Sequence, residues 1–207
     1  NWNETFRESK IVKLSSSTSE FITASGTYYF RALSADGCWG PEASVNITIN
    51  PRPNVFNVIG GGAYCAGDAG VLVLLDGSEA GVDYQLYEGV NPVGSPMAGT
   101  GMSINFGFQT VGGTYTVVAT NSVTLCTKDM NSSATVIVNP VPVVYNVTGG
   151  GPYCYNSGGS LVGLDNSEVG VNYQLYDGMM AVGSPVAGTG SAISFGQQPI
   201  ATTYTVI

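Results

Sequence analysis

Three carboxylates, Asp76, Glu79 and Asp83, lie close together around a glycine turn, and Asp165 and Glu168 repeat the first two. Clustered carboxylate oxygens suit a hard cation such as Ca²⁺. Ca²⁺ at Asp76, Glu79, Asp165 and Glu168 is therefore the one cofactor that these residue types suggest. No EF-hand-like spacing surrounds them, and the third carboxylate becomes Asn172 in the second set. The turn thus reads first as a solvated one in which Asp76 caps backbone amides. Two carboxylates could also cleave a glycosidic bond, but that chemistry needs a rigid cleft. The same acidic turn appearing twice argues for structure. The chain has no His, which removes Ser-His-Asp and Cys-His centres and imidazole ligands for zinc. No catalytic residue is assigned, and the expectation is a protein that is not an enzyme.

The rest of the composition agrees. Among 207 residues there are 29 Gly, 10 Pro, 12 Tyr and 4 Cys, with 6 Lys plus Arg against 14 Asp plus Glu. Six scattered cations cannot cover a phosphate backbone, so nucleic acid is not an expected partner. Hydrophobic residues make up 43%, which sets the chain apart from disordered sequences of low hydrophobicity and high charge. The longest apolar run, Val71 to Leu75, is strand-sized and far short of the roughly 20 residues of a membrane span. The opening Asn1-Trp2-Asn3-Glu4 is not a signal peptide and reads as a processed chain or an internal piece of a longer one.

The positions of the chemistry are set by self-similarity. Asn50-Pro51-Arg52-Pro53 recurs as Asn139-Pro140-Val141-Pro142, and Gly60-Gly61-Gly62-Ala63-Tyr64-Cys65 as Gly149-Gly150-Gly151-Pro152-Tyr153-Cys154. The offset is 139 − 50 = 89 and 154 − 65 = 89. It carries Tyr84-Gln85-Leu86-Tyr87 onto Tyr173-Gln174-Leu175-Tyr176, and Thr114-Tyr115-Thr116-Val117 onto Thr203-Tyr204-Thr205-Val206. Over this stretch 41 of 69 aligned positions are identical without a gap. Such a match means tandem modules. A more distant copy precedes them: Gly26-Thr27-Tyr28 matches Gly113-Thr114-Tyr115, and Cys38 matches Cys126. The expected domains are 1–50, the C-terminal part of a divergent module; 51–139, a complete module; and 140–207, the N-terminal part of a second copy.

One module reads as all-β. Val71 to Leu75 is a continuous apolar run, Asp83 to Tyr87 and Ser103 to Phe106 alternate, and Thr114 to Ala119 and Ser133 to Val138 are rich in β-branched and aromatic residues. Val55 to Ile59 alternates weakly. Turn clusters separate these runs, including Glu88-Gly89, Gly94-Ser95-Pro96 and Gly112-Gly113. About seven short strands per module of about 89 residues is the pattern of an immunoglobulin-like β-sandwich.

Two details favour that architecture. Tyr28, Tyr115 and Tyr204 follow a turn at the same place in each copy, where a tyrosine corner would bond back to the backbone. Cys65 precedes the second strand and Cys126 follows the sixth, strands that face each other in such sandwiches. A bridge between them would close a loop of 126 − 65 = 61 residues, worth about 4 kcal/mol on the chain-entropy view. Cys38 is equivalent to Cys126 and Cys154 to Cys65, so both would have partners outside the chain. Disulfides imply an oxidising compartment. Trp39, beside Cys38, is expected to pack over that bridge rather than serve as a sugar platform. Of Tyr84 and Tyr87, three apart on one strand, one should face the core and one the surface. The Asn-x-Ser/Thr sequons at Asn3, Asn46, Asn131 and Asn146 read as chance in an Asn- and Thr-rich β-protein.

Gly-Gly-Gly-x-Tyr-Cys, Tyr-Gln-Leu-Tyr, Gly-Ser-Pro-x-Ala-Gly-Thr-Gly, Gly-Thr-Tyr-Thr-Val and a late Cys together resemble the tandem Ig-like repeats of giant Bacteroidota cell-surface adhesins. The segment Asp36-Gly37-Cys38-Trp39-Gly40-Pro41 looks like a sister repeat type of the same proteins. The resemblance covers nearly the whole chain. It implies export by type IX secretion, an extracellular location at the cell surface, anchored to the outer membrane through regions not present here, and a role in adhesion filaments, including gliding-motility adhesins of the SprB kind. The expected function is a non-catalytic, secreted stalk whose partners are neighbouring modules and, at most, a surface polysaccharide. The alternatives are carbohydrate-binding accessory modules of a surface enzyme, or a self-assembling extracellular fibre subunit in which one chain completes the next.

Overall fold

In a computed structural model of the chain, residues 22–207 are described, all of their regular structure is strand, and none of it is helix. The sequon at Asn3 and the first 21 residues of the segment 1–50 lie outside the described residues. Contacts divide the chain into two compact units, one running to Tyr64 and resuming over Ala69–Val138, the other holding Cys65–Asp68 and Asn139–Ile207.

The first two strands, β1 (Gly26–Leu33) and β2 (Trp39–Ile47), form an antiparallel hairpin in which Gly26 pairs with Ile47 and Tyr28 with Val45. The hairpin turn is closed by the Ser34 N–H donating to the Cys38 carbonyl at 2.9 Å and the Gly37 N–H donating to the Ser34 carbonyl at 3.0 Å.

The next nine strands make two sheets. One has the order β3 (Val58–Gly60), β5 (Val71–Leu75), β8 (Ile104–Gln109). The other has the order β4 (Gly62–Cys65), β11 (Ala134–Asn139), β9 (Gly113–Asn121), β6 (Val82–Glu88), β7 (Asn91–Ala98), with β10 (Thr127–Asp129) also paired to β9. The period-two pattern explains their packing. Val82, Tyr84 and Leu86 of β6 and Tyr115, Val117 and Ala119 of β9 turn to one side of their sheet and are buried. They meet Val58, Val73, Leu75 and Ile104 of the other sheet in a single core. Each such large side chain contributes about 1.5–3 kcal/mol by leaving water. Tyr84 is the core member and Tyr87 is only half-buried.

A sharp change of direction joins the sheets. The chain follows β5 through β3, passes Gly60-Gly61-Gly62, and continues beside β11 as β4. All three glycines have positive φ, 100°, 80° and 129°. A Cβ at Gly60 would stand 2.2 Å from the Leu72 carbonyl oxygen, and one at Gly61 would stand 2.5 Å from that of Thr135. Only glycine allows both the turn and this approach. From Asn57 beside Asn131, through Gly61 beside Thr135, to Ala66 bonded to Asn139, the two segments run in the same direction.

The structure corrects the expected strands: the complete module has nine rather than about seven, the weakly alternating Val55 to Ile59 is strand only from Val58, and one expected separator is itself strand. Gly94-Ser95-Pro96 is not a separator but lies inside β7. This strand is the outermost of its sheet, so Pro92 and Pro96 can sit where an unpaired N–H would face solvent.

The second unit repeats the pattern with β12 (Val147–Gly149), β13 (Ser160–Leu164) and β16 (Ile193–Gln198) in one sheet. The other sheet has the order β15 (Met180–Ala187), β14 (Asn172–Asp177), β17 (Tyr204–Val206). Leu164, Tyr173 and Ile193 form its smaller core.

Candidate functional site

The acidic turn is a clamp on the incoming chain. Asp76 accepts from the backbone N–H of Asn57 at 2.8 Å and from the Asn57 side-chain amide at 2.7 Å. Glu79 accepts from the backbone N–H of Asn54 at 2.6 Å and from its side-chain amide at 2.5 Å. The second unit repeats this: Asp165 takes both N–H groups of Asn146, at 3.0 and 2.7 Å, and Glu168 takes the backbone N–H of Val143 at 2.7 Å. Each carboxylate accepts N–H donors from the chain that enters its unit. Among the described residues no group of three or more acidic, Cys or His side chains is placed to hold a metal. Asp83 stands apart on β6, opposite Ala98 and Thr120.

The clamp should be sensitive to acid. The Asn57 side-chain amide, then its backbone N–H, hold the Asp76 carboxyl below its ordinary 3.8, and Asn146 does the same for Asp165. A depressed carboxylate contributes stability that is fully present above its unfolded value and is lost as pH falls through the folded one. Melting temperature should therefore drop as pH goes below about 4, with the drop smaller in a D76N/D165N double variant. Thermal denaturation of both proteins between pH 7 and pH 2.5 checks this. Equal acid sensitivity would exclude the clamp as its source.

Three tyrosines share a second geometry. Tyr28 donates to the Ala24 carbonyl at 2.6 Å, Tyr115 to Val111 at 2.8 Å and Tyr204 to Ile200 at 3.0 Å, each four residues upstream. That is the bond a tyrosine corner makes. Burial pushes the Tyr115 phenol up.

The expected bridge between Cys65 and Cys126 is absent, and all four cysteines are free. The reason is the path of the chain. Cys65 ends β4, beside the Asn139 end of β11, and β11 pairs with the Gly113 end of β9. Cys126 lies in the turn beyond Asn121, at the other end of β9, where its carbonyl bonds the Asn121 N–H. The nine residues of β9 span about 26 Å, whereas a disulfide needs Cα atoms roughly 4.4–6.8 Å apart. Trp39, expected to cover a bridge, is 62% exposed, beside an exposed and unbridged Cys38.

The second unit carries a groove of about 700 Å³ whose walls include Gly151, Tyr153, Val162, Gln198 and Tyr204. In the first unit the corresponding place is filled by β11, which lies between β4 and β9. The contrast is visible at one glycine. Gly61 abuts the Thr135 backbone, whereas its counterpart Gly150 has nothing within 4 Å of a Cβ position.

Sequence reasoning missed the partners that make these turns rigid. Ser78 is buried, donates to the Met102 carbonyl at 2.5 Å and accepts from the Thr100 N–H at 3.1 Å. Ser167 repeats this with Ser191 and Thr189. Gln109 and Gln198, also buried, donate to Phe106 and Phe195. The available signal was identity between the two copies at polar positions, because a buried polar group must keep its partner.

No family model matches the chain, and no curated protein matches it. No helix among the described residues is long and apolar enough to cross a membrane.

Proposed function

We propose that the chain is a stretch of a load-bearing extracellular stalk built from tandem immunoglobulin-like modules. The observation that carries this reading is the 89-residue repeat, whose two copies reproduce the same buried Ser, Gln and Tyr and the same carboxylate clamp. The arrangement of β3, β5 and β8 against β4, β11, β9, β6 and β7 supports the immunoglobulin-like assignment. So do the tyrosine hydroxyls turned back onto their own strand starts.

A module of this kind resists extension because its first and last strands lie side by side. Force entering at Asn54 and leaving at Asn139 must shear the contacts of β4 along β11 before the core opens. The clamp of Asp76 and Glu79 fastens the entering strand at its origin. Prolines flank the module, Pro51 and Pro53 before it and Pro140 and Pro142 after it, where they fix φ and stiffen the joints. Stability in such an array is a sum of module and neighbour contributions. On this reading the protein works at the cell surface, exported by type IX secretion as a filament of an adhesin of the gliding-motility kind. Pulling single chains by force spectroscopy tests it, with a discrete rupture expected for the complete module.

A further inference from the structure

The two Asn-Pro joints are one residue of the repeat seen twice, since 139 − 50 = 89, and each is touched from a different side. The Asn139 carbonyl accepts the Ala66 N–H at 2.8 Å, so the residue next to Cys65 sits on the joint that leaves its module. The Asn50 carbonyl lies 3.9 Å from the Cys126 Sγ, so that thiol sits on the joint that enters the same module. Placing one joint on the other brings a Cys65-type residue and a Cys126-type residue to the same carbonyl oxygen. Within a module they are about 26 Å apart along β9. Cys65 is exposed and Cys126 half-buried, so both can be reached by an oxidant.

We infer that the disulfides of the array cross the joints, linking Cys65 of one module to the residue equivalent to Cys126 in the next. This rests on the array reading and deepens it. The repeat places that partner at position 126 + 89 = 215. Cys126 would pair backwards with the preceding module, Cys154 forwards, and Cys38, the counterpart of Cys126, backwards. Each bridge forms when two thiols lose two protons and two electrons to an oxidised small-molecule disulfide such as oxidised glutathione, which leaves as two thiols. Successive bridges overlap, because Cys154 lies between Cys65 and position 215. The stalk is then stapled covalently from joint to joint, and its hinges are locked.

The test extends the whole chain with a copy of its own residues 119–139 after Ile207, restoring the second module, and carries Cys126→Ser to remove the duplicate thiol. After equilibration in a glutathione redox buffer, peptide mapping without reduction should find the added Cys joined to Cys65. Joining to Cys154 would overturn the inference and leave the array reading standing, as would an added Cys that stays free in a folded chain. A second protein covers a failure of the extension to fold: the full chain with residues 51–139 duplicated before Pro140. Keeping only Cys65 of the first copy and Cys126 of the second should give a bridge in that region. Keeping only Cys126 of the first and Cys65 of the second should give none. A bridge in the latter, or none in the former, would overturn the inference.

Discussion

Tyr84→Ala should destabilise the complete module by about 3–5 kcal/mol, the range for removing a large buried aromatic. Tyr84 is fully buried at the centre of the core, with its ring edge-on to Phe56 at a centroid distance of 6.4 Å. Its hydroxyl accepts the Glu79 N–H at 2.9 Å, so the same side chain anchors the turn that carries the clamp. Loss of the ring opens a cavity and strips the partner from a half-buried N–H, and the two costs add in the same direction. The counterpart Tyr173 makes the same bond, to the Glu168 N–H at 2.9 Å, but belongs to a core of only three buried residues. Tyr173→Ala should therefore cost less. Urea denaturation followed by Trp-independent far-UV signals for each variant checks the order, and an equal or reversed order would contradict the core assignment. Tyr84→Phe separates the ring from the hydroxyl and should cost about 1–2 kcal/mol.

The second large effect is expected at the glycine that switches the chain between sheets. Gly61→Ala places a Cβ 2.5 Å from the Thr135 oxygen and 2.9 Å from its nitrogen, at a φ of 80°. Backbone cannot swing away as a flexible side chain can. The left-handed conformation costs about 1–2 kcal/mol and the overlap about 1–3 kcal/mol, so a total of roughly 2–5 kcal/mol follows from the two principles together. Gly150→Ala is the internal control. Its φ is 76°, but no atom lies within 4 Å of the added carbon. It should lose only the conformational part, about 1–2 kcal/mol. Thermal unfolding of the two variants side by side measures the difference. Equal losses would mean that β11 does not press on this glycine.

Much of this was legible in the residues. The repeat, the apolar run Val71 to Leu75 and the alternation of β6 follow from period and composition, because burial on one face dictates them. The tyrosines were legible because a Tyr at the same place in three copies, after Gly-Thr in two of them and Thr-Thr in the third, marks one backbone geometry. Other features were not. β7 hides behind Gly94-Ser95-Pro96, since the residues that punctuate turns are also tolerated in an outermost strand. The partners of Asp76 and Glu79 are 19 and 25 residues away, a separation no local pattern reveals. The cysteines were misplaced for a related reason. Cys65 is near the second strand in sequence, but that strand begins where β4 ends, at the far end of the sheet from the turn holding Cys126. Distance along the chain gave the right loop and the wrong end.

The mechanical role is tested most directly by stretching single full-length chains between their termini under reducing conditions. The complete module should rupture in one event and release a contour length of roughly 25–30 nm, the reach of about 89 extended residues. Asp76→Ala should lower the rupture force without changing that length, because it loosens the entering strand and leaves the core intact. A chain that extends smoothly, with no rupture of that length, would contradict the account of a load-bearing module.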